Sequence, residues 1–92
     1  MDKVYIVTKY KQNEFDSGCI LLGVYDNIEM AKARMKDVWK STKERFLSDY
    51  NENDVEYDED DCFAEIHSNT SFDNAQLNVI EHSINLEDWY QL

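Results

Sequence analysis

The chain has 92 residues, 42% hydrophobic and 13% aromatic, which supplies one folded domain over 1–92 and not two. Its net charge of −11 disfavours direct binding to nucleic acid or to an anionic membrane surface, since both repel that sign. No run approaches the roughly 18 apolar residues a membrane span requires.

Lys3 to Tyr10 is β-branched and aromatic almost throughout and predicts a first strand, with Val4, Ile6 and Thr8 on one face and Tyr5 and Val7 on the other. Apolar groups on both faces point to an interior strand. Asn13, Asp16, Ser17 and Gly18 then form a turn, and Cys19 to Tyr25 reads as the return arm of a hairpin. Gly23 within that arm suggests a bulge or a close backbone approach. Asp26 is placed as a helix N-cap, with Glu29 completing a capping box and Tyr25 and Met30 spaced for a hydrophobic staple. From there Ile28, Ala31, Met35, Val38, Thr42 and Phe46 recur at helical spacing, widened by Trp39 and Leu47, and predict one helix from about 27 to about 49. Lys32, Arg34, Lys36, Lys40 and Lys43 fall on its solvent side.

Tyr50 to Asp61 reads as a long polar loop, either functional or partly ordered by Val55 and Tyr57. Cys62 to Ser68 alternates like a strand, Asn69 to Asn74 is turn-rich, and Leu77 to Leu86 is the last strand. The expected fold is α+β in the order ββαββ, an antiparallel sheet with one long helix on one face. The opening Met1-Asp2-Lys3-Val4-Tyr5 has no basic segment leading into an apolar one, so the expected setting is cytoplasmic. Cys19 and Cys62 are then reduced, and the Asn69-Thr70-Ser71 sequon is unused.

The strand Val4-Tyr5-Ile6-Val7-Thr8, the Leu22-Gly23-Val24-Tyr25 strand leading into a helix with Ala31, and the closing Leu86-Glu87-Asp88-Trp89 together resemble a family of small uncharacterised proteins of phages, prophages and bacteria with a ββαβ-type layout. The resemblance covers about half the chain. It implies a phage or mobile-element setting, and no particular activity. The acidic stretch at 49–61 departs from it.

Charge is unevenly placed. Residues 1–45 carry nine basic and seven acidic side chains; residues 46–92 carry thirteen acidic ones and no Lys or Arg. Eight acids crowd into 49–61: Asp49, Glu52, Asp54, Glu56, Asp58, Glu59, Asp60 and Asp61. One reading is a solvated loop that aids solubility. Another is an electrostatic decoy: in an extended segment Asp54, Glu56, Asp58 and Asp60 would project together every ~6.6–6.8 Å and occupy a basic groove. A third is calcium, with Asp54, Glu56, Asp58, Asp60 and Glu65 at the ligand positions of an EF-hand-like loop. That reading is opposed by Glu59 where the loop's turn requires Gly.

His67 and His82 would sit side by side if the last hairpin were centred near Asn74–Ala75, with Cys62 close enough to imagine a transition metal. Two surface histidines are the plainer reading. Catalysis has little to build on. Gly18 and Gly23 are the only glycines, so no phosphate loop exists. The neighbours His67-Ser68 and His82-Ser83 face opposite sides of a strand, and solvated acids lack the environment that tunes a catalytic carboxylate.

The sequence therefore predicts a non-enzymatic, cofactor-free binding module. Its expected partner is a basic protein such as a nuclease or another nucleic-acid-binding protein, inhibited by charge mimicry in the manner of anti-CRISPR, anti-restriction or immunity proteins. Asp54, Glu56, Asp58, Glu59, Asp60 and Asp61 are the expected contacts, with Trp89 and Tyr90 as aromatic anchors. The alternative is an accessory domain that self-associates as a homodimer, through a strand edge or through its basic helix meeting the acids of a second copy. A metal-dependent protein is a third.

Overall fold

The structure is a computed structural model that describes residues 3–83. β1 (Lys3–Gln12) and β2 (Ser17–Tyr25) form the expected hairpin, followed by α1 (Ile28–Asp49), a 3-10 turn at Glu52–Asp54, β3 (Val55–Glu59), β4 (Phe63–Ser68) and β5 (Asn74–Ser83). All strand pairs are antiparallel, in the order β2-β1-β5-β4-β3. The class is α+β as expected, with five strands rather than four. The added strand is β3, drawn from the centre of the acidic stretch. Val55 and Tyr57 alternate with Glu56 and Asp58, a period of two that the wealth of acids conceals.

β2 and β3 are the two edges, and α1 runs between them across one face. A 22-residue helix is about 33 Å long, against roughly 19 Å for four strand spacings, so one diagonal helix covers the sheet. Ala31, Met35, Trp39, Thr42 and Phe46 are its buried stripe. They pack on Val7, Val55, Ala64, Ile66, Ala75 and Leu77, contributed by β1, β3, β4 and β5. Thr42, the polar member, donates to the Val38 carbonyl and accepts from Lys9 Nζ at 3.1 Å.

Two local features differ from the sequence reading. The N-cap is Asn27, not Asp26: its backbone is extended (φ −130, ψ 125) and its Oδ1 accepts from the amides of Glu29 at 2.7 Å and Met30 at 3.4 Å. This shifts the frame by one residue, so Tyr25 and Met30 do not stand in staple positions. The last turn spans 69–73, within the turn-rich 69–74 stretch, but the hairpin is not centred at 74–75 and β5 starts at Asn74 rather than Leu77, which pairs His67 with Asn74 and His82 with Val4. The two histidines lie at opposite ends of the sheet and share no site. Gly23 marks the expected bulge, with register slipping opposite it between Val7 and Thr8, and what a Cβ there would meet, at 2.7 Å, is the Tyr25 ring rather than another backbone.

Candidate protein-binding face

The helix covers only one face of the sheet. On the other, strand pairing sets the side chains in rows running from β2 to β3. At the end nearest the 13–16 and 69–73 turns, the first row is Ser17, Gln12, Asn74, His67 and Glu56. The second is Cys19, Tyr10, Gln76, Glu65 and Asp58. Beyond them the face turns apolar: Leu21, Thr8, Asn78 and Phe63, then Val24, Ile6 and Ile80. Acid thus gathers at the β3–β4 corner and apolar side chains at the opposite one.

At the acidic corner Glu56, Asp58, Glu65 and His67 line a shallow concavity of about 530 Å³ with Val55 and Tyr57. His67 Nε2 lies 3.1 Å from Glu56 Oε2, and Gln76 donates to Glu65 at 3.4 Å. Asp58 stands directly across from Glu65. Like charges in that relation oppose sheet formation by roughly 0.2–1 kcal/mol. No Lys or Arg on the described strands relieves them, because Lys3, Lys9 and Lys11 all have the parity of Val7, which is buried under the helix.

The expected contacts are therefore divided by the fold. Glu56 and Asp58 share the open face. Glu59 has the opposite parity and accepts a hydrogen bond from Trp39 Nε1 on the helix side. Its neighbour on that side, Tyr57, lies 6.2 Å from the Trp39 ring and carries Lys43 Nζ 4.2 Å above its own ring. Asp60 and Asp61 form the β3–β4 turn, closed by the Asp60 amide donating to the Phe63 carbonyl at 2.7 Å, and line a concavity with Lys36 and Trp39. Asp54 ends the 3-10 turn, where its carbonyl accepts from Asn69 N at 2.7 Å. The four-acid row expected of an extended segment is thus limited to Glu56 and Asp58, since the strand holds only 55–59. Trp89 and Tyr90 lie outside the described residues.

Glu65 belongs to the patch although the sequence suggested it only as a calcium ligand. Its place follows once β3 is recognised as a strand, because the pairing then puts it opposite Asp58. Phe15 and Phe72, 92% and 74% exposed, stand in the two turns at the acidic end of the sheet and had no sequence signal beyond their turn context. The calcium frame does not match the backbone: its residues run through a 3-10 turn into a strand, and among the described residues no group of three or more His, Cys, Asp or Glu could hold a metal ion.

A second polar cluster lies under the helix. Asp73, at the end of the β4–β5 turn, accepts hydrogen bonds from the two terminal guanidinium nitrogens of Arg45 at 3.2 and 3.3 Å and from the Tyr50 hydroxyl at 2.9 Å. That bond raises the Arg45 guanidinium above its ordinary value. Burial, together with the charges of Arg45 and Lys11, holds the Lys9 ammonium below its own. The cluster ties the turn to the helix. No helix among the described residues is long and apolar enough to cross a membrane.

Comparison of the chain with family models, with curated proteins and with solved structures gave no match.

Proposed function

We propose that this chain is a non-catalytic binding module that presents the acidic corner of its open sheet face to a basic protein. The observation that carries this reading is the Asp58–Glu65 pair, two acids held opposite each other on a face whose described residues include no Lys or Arg. An arginine or lysine from a partner would remove that repulsion and form charge-assisted hydrogen bonds. Glu56 extends the negative field toward the end of the sheet where Phe15 and Phe72 offer apolar contact, and the turn acids Asp60 and Asp61 extend it at the other end of the β3–β4 hairpin.

A nucleic-acid-binding protein is the partner class we favour, because its groove is basic and the acids would stand in for phosphates. A phage or mobile-element setting is part of the proposal through the resemblance of the Val4–Thr8 and Leu22–Tyr25 strands. The test is affinity capture from host lysate at low and high salt. Wild type is compared with a variant carrying Asp54→Asn, Glu56→Gln, Asp58→Asn and Asp60→Asn. A basic protein kept by wild type at low salt and lost by the variant is the expected result. The same protein recovered by both would reduce the acids to a solubilising surface.

A further inference from the structure

The two edges of the sheet are built differently. β3 is five residues long and carries Glu56, Asp58 and Glu59, which is how natural sheets discourage edge-to-edge pairing. β2 is nine residues long and has no charged side chain in a molecule of net charge −11. Its outer edge has no partner strand among the described residues. Ile20, Leu21 and Val24 are 40%, 62% and 53% exposed, and Ile80 two strands away is 48% exposed. The bulge at Leu22–Gly23 interrupts this edge, but Ser17–Leu21 ahead of it is regular and uncharged, and such a stretch is the kind that recruits another strand.

We propose that β2 pairs with β2 of a second copy, antiparallel and edge to edge, giving a ten-stranded sheet across a two-fold axis. Among the ways two copies of net charge −11 can meet, this arrangement keeps the acids farthest apart. Strands within a sheet are about 4.8 Å apart, so nine intervals separate the two β3 edges by roughly 43 Å. That is several times the ~8 Å screening length at physiological ionic strength. Every other contact between copies through the sheet face or the β3 edge brings acids closer together. The seam removes the exposed flanks of β2 from water and satisfies its unpaired backbone groups.

The two-fold axis of such a pair is perpendicular to the sheet. Both open faces lie on one side and both helices on the other. Leu21 and Val24 of the two copies then adjoin as one apolar band, with an acidic corner at each far end. The dimer presents the proposed acidic site twice to one partner surface, and the gain is avidity. A nine-residue strand is about 30 Å long and a sheet layer about 10 Å thick, so each copy buries on the order of 300 Å², about 600 Å² for the pair, which is the size of a weak, transient contact. The pairing is therefore reversible and concentration-dependent.

The experiment is light scattering of the full chain under reducing conditions, at about ten and about two hundred micromolar. Wild type should approach twice the chain mass at the higher concentration, and more completely in high salt, which screens Asp16 and Asp26 at the ends of β2. Leu21→Lys should weaken the pairing at least tenfold, with Cys19→Lys as the second edge variant should the first not fold, as judged by circular dichroism. Ile80→Lys should leave it intact, because Ile80 lies on the face and away from the seam. Three results would overturn the proposal: a wild type that stays monomeric at both concentrations, loss of the dimer in Ile80→Lys as well as Leu21→Lys, which assigns a face-to-face contact, or loss in Glu56→Gln with Asp58→Asn, which assigns the acidic edge. Salt separates this pairing from the proposed partner binding, since it strengthens one and weakens the other.

Discussion

The indole nitrogen of Trp39, in the middle of α1, donates to the Glu59 carboxylate at the end of β3. One member of the acidic run thereby serves the fold while its neighbour Asp58, one residue back and on the opposite face, faces solvent across from Glu65. Charge alone does not distinguish these two residues; strand parity does.

The two should respond oppositely to mutation. Glu59→Ala leaves the Trp39 donor without its partner at a site only 6% exposed, and should cost about 1–3 kcal/mol. Asp58→Asn relieves the repulsion with Glu65 and should stabilise the protein by roughly 0.2–1 kcal/mol. Urea unfolding of both variants decides the matter. Equal effects would mean that the parity assigned to β3 is wrong.

At the start of α1, Asn27→Ala should cost about 1 kcal/mol through loss of the side-chain acceptor for the Glu29 and Met30 amides. Asp26→Ala, which removes the residue the sequence marks as the cap, should stay within about 0.5 kcal/mol. Thermal melts of the pair test this, and a reversed order would restore the capping box.

Much of the fold was legible because its signals are local and redundant. The α1 stripe recurs over five turns without a breaker, and β1 and β2 are dense in strand-forming residues. Asn27 was missed because Asp26 and Asn27 are both good caps, and one residue of frame decides which oxygen reaches the amides. β3 was hidden since Asp and Glu argue against strand on propensity, while the pairing and the Trp39 and Tyr57 packing that hold it come from distant segments. The histidine pair failed for a register reason: moving the β4–β5 turn by a few residues sends His82 to the far end of the sheet. The acidic patch was half legible, as composition located the acids and only the sheet shows that Glu65 joins them while Glu59 turns away.

Lys9 carries a pH signature. Burial is the first cause of its lowered value, with the Arg45 and Lys11 charges adding to it. The unfolded chain binds that proton more readily than the folded one, so stability rises with pH between the depressed value and the ordinary 10.5. Below that window the full penalty is present. Lys9→Met removes the ammonium, and Thr42 keeps its bond to the Val38 carbonyl. The variant should melt above wild type at pH 7, by a margin that narrows as pH approaches 10.5. A lower melting temperature at pH 7 would mean that the Lys9–Thr42 hydrogen bond outweighs the cost of burying the charge.

The central claim is that the Glu56, Asp58 and Glu65 corner binds a basic protein, and the most direct measurement is equilibrium binding of the captured partner across a salt series. Wild type is set beside Glu56→Gln with Asp58→Asn, and beside Lys36→Gln on the helix side as a control. The account expects wild-type affinity to fall steeply with salt, the acid variant to lose at least tenfold with a shallower salt slope, and the helix variant to bind no more weakly than wild type. An affinity that is flat in salt and unchanged by neutralising Glu56 and Asp58 would contradict it.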